Sequence, residues 1–154
     1  MSWLTGIELE SLIRTYADDE TEAAFLGIFA LDTLPKSIQQ LPVLFVVNTQ
    51  TSNLPGQHWV AVYISSEKRG EVFDSLTSPI SLTLMRWMNT FTFKWKRSKR
   101  MIQNPLSAYC GAFVAYFVLT RLKAKSMESC LLVFKKDFQF NDLLVQNFVK
   151  TLKI

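Results

Sequence analysis

The chain has 154 residues, 49% of them hydrophobic and 13% aromatic, and carries a net charge of +4. A chain of that length buries roughly 68–70% of its unfolded surface, and this composition excludes a disordered or fibrous class, so one globular domain is expected. No apolar run approaches the roughly 20 residues that span a bilayer, the first residues lack the basic start and apolar stretch of a signal peptide, and two cysteines make no disulfide framework, so an intracellular protein with no membrane partner is expected.

Thr5-Gly6-Ile7-Glu8 has the form of a capping box, and Leu9, Leu12, Ile13 and Tyr16 recur on about one helical face. A first helix is therefore expected, closed by the acidic turn Asp18-Asp19-Glu20. Residues 24–29 read as a short strand or a loop against the core. Residues 35–40 predict a short helix with Pro35 in its first turn. The run Val43-Leu44-Phe45-Val46-Val47-Asn48 is apolar on both faces, which predicts a central strand. A polar loop over 49–56 follows, with Pro55 and Gly56 as breakers. Two strands, 58–64 and 70–74, are joined by the turn-forming stretch 65–70 as a hairpin. Residues 79–91 predict a helix capped by Ser78, with Pro79 at its first position. Phe91-Thr92-Phe93-Lys94-Trp95-Lys96 alternates apolar and polar, the pattern of a half-buried strand. A loop over 104–109 opens into a helix over 110–123. That helix is apolar nearly all round and belongs at the centre of the molecule, with Lys123 and Lys125 suited to its C-terminal end. A final helix is expected from about Asn141 as N-cap, with Leu143, Leu144, Phe148, Val149 and Leu152 on its apolar face. Together these elements predict an α+β fold: a central mixed sheet of about five strands, a buried central helix and flanking helices.

The chemistry concentrates in four residues. His58 is the one histidine of the chain, Asp74 follows it by 16 positions, and Gln103 precedes Cys110 by seven. A free cysteine is more often a small buried hydrophobe than a nucleophile. Cys110, however, opens a helix, where the macrodipole and free N–H groups favour a thiolate. The small Gly111 beside it is expected to let substrate approach the backbone. His58 begins a strand after a glycine-containing loop, a position from which a side chain reaches a cleft. If the two hairpin strands pair antiparallel, Asp74 lies at the same end as His58 and can fix its tautomer. Gln103 supplies a neutral amide donor that could stabilise an oxyanion beside the Cys110 N–H. This set is that of a thiol protease, whose chemistry needs no metal or other cofactor. Cys130 reads as structural. Five cations crowd into Lys94-Trp95-Lys96-Arg97-Ser98-Lys99-Arg100. They read either as a solvated strand edge or as a contact for nucleic acid, with Lys94, Lys96, Arg97, Lys99 and Arg100 on phosphates and Trp95 as a stacking surface.

The ordered set His58-Trp59, Asp74, and Gln103-x-Pro105-x-Ser107-Ala108-x-Cys110-Gly111 resembles the adenovirus maturation cysteine protease (adenain) family. The wider clan of that family includes the SUMO- and other ubiquitin-like-protein-specific proteases. Glu8-Leu9, Phe25-Leu26-Gly27 and Val47-Asn48-Thr49 are similar in order and spacing, so the resemblance covers roughly residues 6–122. It weakens over 124–154, where the chain is shorter than the family. The resemblance implies Cys110 as nucleophile, His58 as general base and acid, Asp74 as its orienter and Gln103 as oxyanion donor, with Trp59 shaping the cleft beside the histidine. It also implies a monomeric viral endopeptidase that cleaves precursor proteins at Gly-containing sites during virion maturation, in the virion and the host-cell nucleus, stimulated by a peptide and by DNA. The family carries Glu where this chain has Asp74, a change the wider clan accepts. A cysteine that links the family's activating peptide falls near Thr92, so a disulfide-linked activator is not expected here. Two alternatives stay open: a deconjugating protease for a ubiquitin-like modifier such as SUMO, and a non-catalytic DNA- or capsid-binding module.

Overall fold

The computed structural model describes residues 4–17, 23–49, 58–123 and 125–152. The capping box forms as the sequence predicts. Thr5 Oγ1 accepts from Glu8 N at 3.1 Å and Glu8 Oε1 accepts from Thr5 N at 3.2 Å, which starts α1 (Gly6–Tyr16). Leu9, Leu12 and Ile13 are buried on its inner face. The acidic turn expected after it, and most of the loop expected over 49–56, lie outside the described residues.

Five strands make one sheet among the described residues: β1 (Ala24–Ala30), β2 (Val43–Asn48), β3 (Trp59–Ile64), β4 (Arg69–Phe73) and β5 (Lys94–Arg97), in that spatial order. β2, β3 and β4 form an antiparallel meander, while β1 and β5 lie parallel to their neighbours at the two edges. The both-face apolar run in β2 has a direct cause. Leu44 and Val46 face one hydrophobic core, and Val43, Phe45 and Val47 face another on the opposite side. Trp59, Ala61 and Tyr63 alternate with Val60, Val62 and Ile64 in the same way along β3.

The first core is closed by α1, by the buried α3 (Cys110–Leu122) and by α5 (Phe138–Leu152), and the second by α2 (Leu82–Phe91). α3 crosses the middle of the first core, with Phe117 stacked on Phe73 of β4 at 4.5 Å between ring centroids.

Several expected boundaries are corrected. Residues 35–40 form no helix. Leu34, Ile38 and Leu41 pack into the second core, and Pro35 O accepts from Trp87 Nε1 at 2.8 Å, so tertiary contacts take up the groups a helical turn would use. α2 starts at Leu82 under a Ser81 cap, not at Pro79 under Ser78. β5 is shorter than the alternation suggests. Phe91 ends α2 with its ring stacked on Trp87, and Phe93 is 81% exposed. A short helix, α4 (Met127–Leu131), was not anticipated; Ser126 caps it. α5 begins at Phe138, where Asp137 Oδ1 accepts from Gln139 N and Phe140 N. Asn141 is therefore no cap. It is fully buried and donates through Nδ2 to Ile102 O at 2.9 Å and Lys135 O at 2.8 Å. Leu143, expected on the apolar face, is half exposed, and Val145 takes the buried position.

Candidate active site

The β3–β4 register runs Ala61↔Phe73 and Val62↔Val72. Continued by one step, it puts Asp74, just after β4, opposite Val60, and His58, just before β3, lies two residues further on at the same end of the hairpin. Their side chains meet there, with His58 Nε2 and Asp74 Oδ1 2.6 Å apart. The backbone of His58 is held in turn, since its carbonyl accepts from Thr49 N at 2.9 Å and Thr49 Oγ1 at 3.1 Å.

Asp74 is 3% exposed, and a buried carboxylate needs donors. The turn that follows supplies them: Leu76 N donates to Oδ1 at 2.9 Å and Ser78 N to Oδ2 at 3.0 Å. Thr77 takes φ +49 within this turn. The backbone of Asp74 is gripped by Ser98, whose Oγ accepts from Asp74 N at 2.9 Å and donates to Asp74 O at 3.2 Å.

Cys110 of α3 is the other side chain that acts on the His58 ring, and like Asp74 it raises it. Burial pulls the imidazolium down, but the hydrogen bonds to Asp74 and Cys110 and the charge of Asp74 outweigh it, and His58 is raised from 6.5 to about 9. At neutral pH the ring is thus cationic. Cys110 is the first residue of α3, whose N-cap Tyr109 gives no side-chain cap bond, so the helix N-terminus faces the thiol uncapped by a side chain. A cavity of about 230 Å³, lined by Leu31, Val60, Leu76, Ile80 and Leu84, adjoins His58 and Asp74. A larger one of about 570 Å³ lies at the far end of the hairpin, around Arg69, Glu71, Trp95 and Arg121.

Gln103 is placed just ahead of the loop that leads to Cys110 and is 1% exposed. Its amide is already engaged. Oε1 accepts from Ser75 Oγ at 2.6 Å, and Nε2 donates to Ser107 O at 3.1 Å and Ser107 Oγ at 3.2 Å. Asn104 N, next in the chain, donates to Oδ1 of Asp142 of α5 at 3.4 Å, and burial pushes that carboxyl up. A polar chain therefore runs from α5 through the loop to Gln103, and neither Ser75 nor Asp142 was picked out from the sequence. A serine in a turn and an aspartate in a helix give no signal in a single chain.

Trp59 and Gly111 pack against each other. Trp59 is 4% exposed, and its ring lies against Gly111, where an added Cβ would sit 3.5 Å from Cζ3. The pair joins α3 to the sheet. The basic segment is likewise divided. Arg97 turns inward, donating to Ser78 O and Ser98 O. Arg100 Nη2 donates to Leu131 O and Phe134 O, and Lys96 Nζ pairs with Glu128 Oε1 at 2.5 Å. Lys94 and Lys99 remain as the exposed cations without such a tie among the described residues. Cys130 is buried in the first core, and burial pushes its thiol up. No cluster of three metal-ligating side chains occurs among the described residues, and no described helix is long and apolar enough to cross a membrane.

No protein-family model and no curated protein sequence matches the chain. Solved structures do. The ASFV pS273R protease superposes with a TM-score of 0.69 at 16% identity over 94% of this chain and 66% of that one, so the chain spans just under two thirds of its length. The central domain of the uncharacterized protein Lpg1148 from Legionella pneumophila gives 0.58 at 11% identity, covering 99% of this chain and 98% of that one. The SUMO protease Ulp1, with its catalytic cysteine oxidised to a sulfonic acid, gives 0.54 at 14% identity, covering 97% and 78%. The chain shares the α+β fold of these proteins.

Proposed function

We propose that the protein is a cysteine endopeptidase with Cys110 as nucleophile, His58 as acid and base, Asp74 as orienter and Gln103 as oxyanion donor. The observation that carries this reading is the only histidine of the chain lying between a buried carboxylate and a thiol at the N-terminus of a buried helix. In the mechanism, the Cys110 thiolate attacks the scissile carbonyl and the electron pair moves to oxygen. The Cys110 N–H and the Gln103 amide receive that oxyanion. The His58 imidazolium then gives its proton to the leaving amine as the C–N bond breaks, and an acyl-enzyme remains. Neutral His58 next takes a proton from water, which attacks the thioester, and Cys110 leaves as thiolate. Gln103 Nε2 faces Ser107, so this route has the amide share or exchange that partner for the oxyanion.

The substrates in this reading are capsid and core precursor proteins of an adenovirus-like or related double-stranded DNA virus or mobile element, cut at Gly-containing sites during particle maturation. The Gln103-to-Gly111 string and the fold shared with the ASFV protease support it. An activating peptide would bind without a disulfide at Thr92. Any stimulation by DNA would act through Lys94 and Lys99 more than through Arg97 or Arg100. Cleavage of a Gly-containing peptide library by the wild type, with no cleavage by Cys110→Ala or His58→Ala, is the test. Wild-type rate in either variant refutes the assignment.

The fold shared with Ulp1 favours a second reading, removal of a ubiquitin-like modifier. Covalent labelling of Cys110 by a ubiquitin-like suicide probe, and not by precursor-derived peptides, would select it.

A further inference from the structure

We infer that Arg97, read from the sequence as a nucleic-acid contact, is a positioning residue for Asp74. Its part-buried guanidinium fixes the turn over 74–78 and so keeps the carboxylate on His58. The parallel register Val72↔Arg97 sets Arg97 beside β4, two residues before Asp74. From there Nη1 donates to Ser78 O at 2.7 Å and Nε to Ser98 O at 3.1 Å. Those two acceptors belong to the residues that grip Asp74: Ser78 N donates to Oδ2, and the Ser98 side chain brackets its backbone. The remaining nitrogen, Nη2, is buried, has no hydrogen-bond partner among the described residues, and lies 3.9 Å from Asp74 Oδ2.

A buried donor left without a partner is uncommon. Here its position is accounted for by the charge it faces. Among the described residues, the charged groups set against the Asp74 carboxyl are His58 on Oδ1 and Arg97 on Oδ2, so the carboxylate sits between two cations. The fork of an arginine suits this place, because one planar group reaches two carbonyls and a carboxylate at once.

The inference rests on the reading of His58 and Asp74 as base and orienter, but its test does not need peptide cleavage. With one histidine in the chain, NMR titration reports a single ring. The wild type, Arg97→Gln and Arg97→Lys are titrated. If Arg97 positions Asp74, its loss frees the turn, the His58–Asp74 bond is less populated, and the histidine midpoint falls by at least one pH unit in Arg97→Gln and by less in Arg97→Lys. If Arg97 were only a nearby charge, removing it would raise the midpoint, since one cation repels another; that result, or no change, overturns the inference. Should Arg97→Gln fail to fold, Arg97→Lys decides alone. Its single ammonium lacks the planar fork whose two nitrogens reach Ser78 O and Ser98 O, so a midpoint below wild type supports positioning and one at or above wild type overturns it. In active protein, Arg97→Gln lowers kcat roughly tenfold or more with KM little changed. A wild type that titrates as expected, shows the Arg97 effect and yet cleaves no peptide would sink the protease reading while upholding the positioning of Asp74.

Discussion

The His58–Asp74 pair gives the sharpest quantitative expectation. Asp74→Asn keeps the shape of the side chain and removes its charge. In the wild type, His58 is raised from 6.5 to about 9, against a burial effect that alone would lower it. At 1.36 kcal/mol per pH unit, the ionised ring is favoured by about 3 kcal/mol over its unperturbed balance. That is an upper value, because the side chain keeps 13% of its surface in contact with water. Without the carboxylate, burial is opposed only by Cys110, and the midpoint is expected to fall by roughly 2 pH units. The linkage has a defined sign. A group raised in the folded state contributes its full stability below the unfolded value of 6.5 and loses it as pH rises through about 9. The stability difference between wild type and Asp74→Asn should therefore narrow across that window, measured by denaturant unfolding at a series of pH values. Activity should follow, with the basic limb of the wild-type profile near pH 9, where the imidazolium is lost. A wild-type midpoint at or below 6.5, or one unmoved in Asp74→Asn, refutes the ion-pair account.

In the proposed mechanism Gln103→Ala removes one oxyanion donor and should lower kcat by about 10²–10³-fold with little effect on KM, read from steady-state peptide hydrolysis; an unchanged kcat would remove Gln103 from the mechanism. Gly70→Ala should destabilise the chain by about 1–3 kcal/mol in urea unfolding, since its Cβ would sit 2.6 Å from Met88 Cε and 3.0 Å from Trp95 Cβ at the β4–β5 pairing. Asn141→Leu strands the Ile102 and Lys135 carbonyls in a buried site, with an expected loss of about 1–3 kcal/mol per unpaired group and early melting of α5 in hydrogen exchange.

The parts of the fold legible in the sequence were those set by local chemistry or by long apolar runs. The Thr5 capping box, the apolar β2 and the nearly all-apolar α3 each carry their signal within a few residues, and each forms. The hairpin was legible because its turn and both strands are contiguous. That contiguity also made the meeting of His58 and Asp74 foreseeable, since an antiparallel register fixes both ends of a hairpin at once. Errors came where distant contacts overrule local preference. Pro35 resembled a helix start, but its carbonyl serves Trp87, 52 residues away. Asn141 resembled a cap, but its amide is taken by Ile102 and Lys135.

The basic segment makes the same point about function. As a string, Lys94 to Arg100 is a charge run, and charge runs read as surface. In the sheet, β5 pairs in parallel with β4, and side chains at consecutive positions turn to opposite faces. Lys94 and Lys96 stay exposed, whereas Arg97 comes beside Val72 and points along the strand toward Asp74. A shift of one residue in that pairing would reverse those assignments and leave the Asp74 carboxylate without its second cation. The position of the run in the sequence does not contain this information; the β4–β5 register does. The cations near the His58–Asp74 pair therefore divide into groups that face solvent and one that faces the buried acid, and the two kinds should separate under mutation. Neutralising Lys94 and Lys99 together should leave the His58 midpoint unchanged while lowering any DNA affinity and its salt dependence. Neutralising Arg97 should move the midpoint and leave that salt dependence as it was. A midpoint displaced by the lysine changes, or a salt slope displaced by the arginine change, would show that register does not divide the segment in this way.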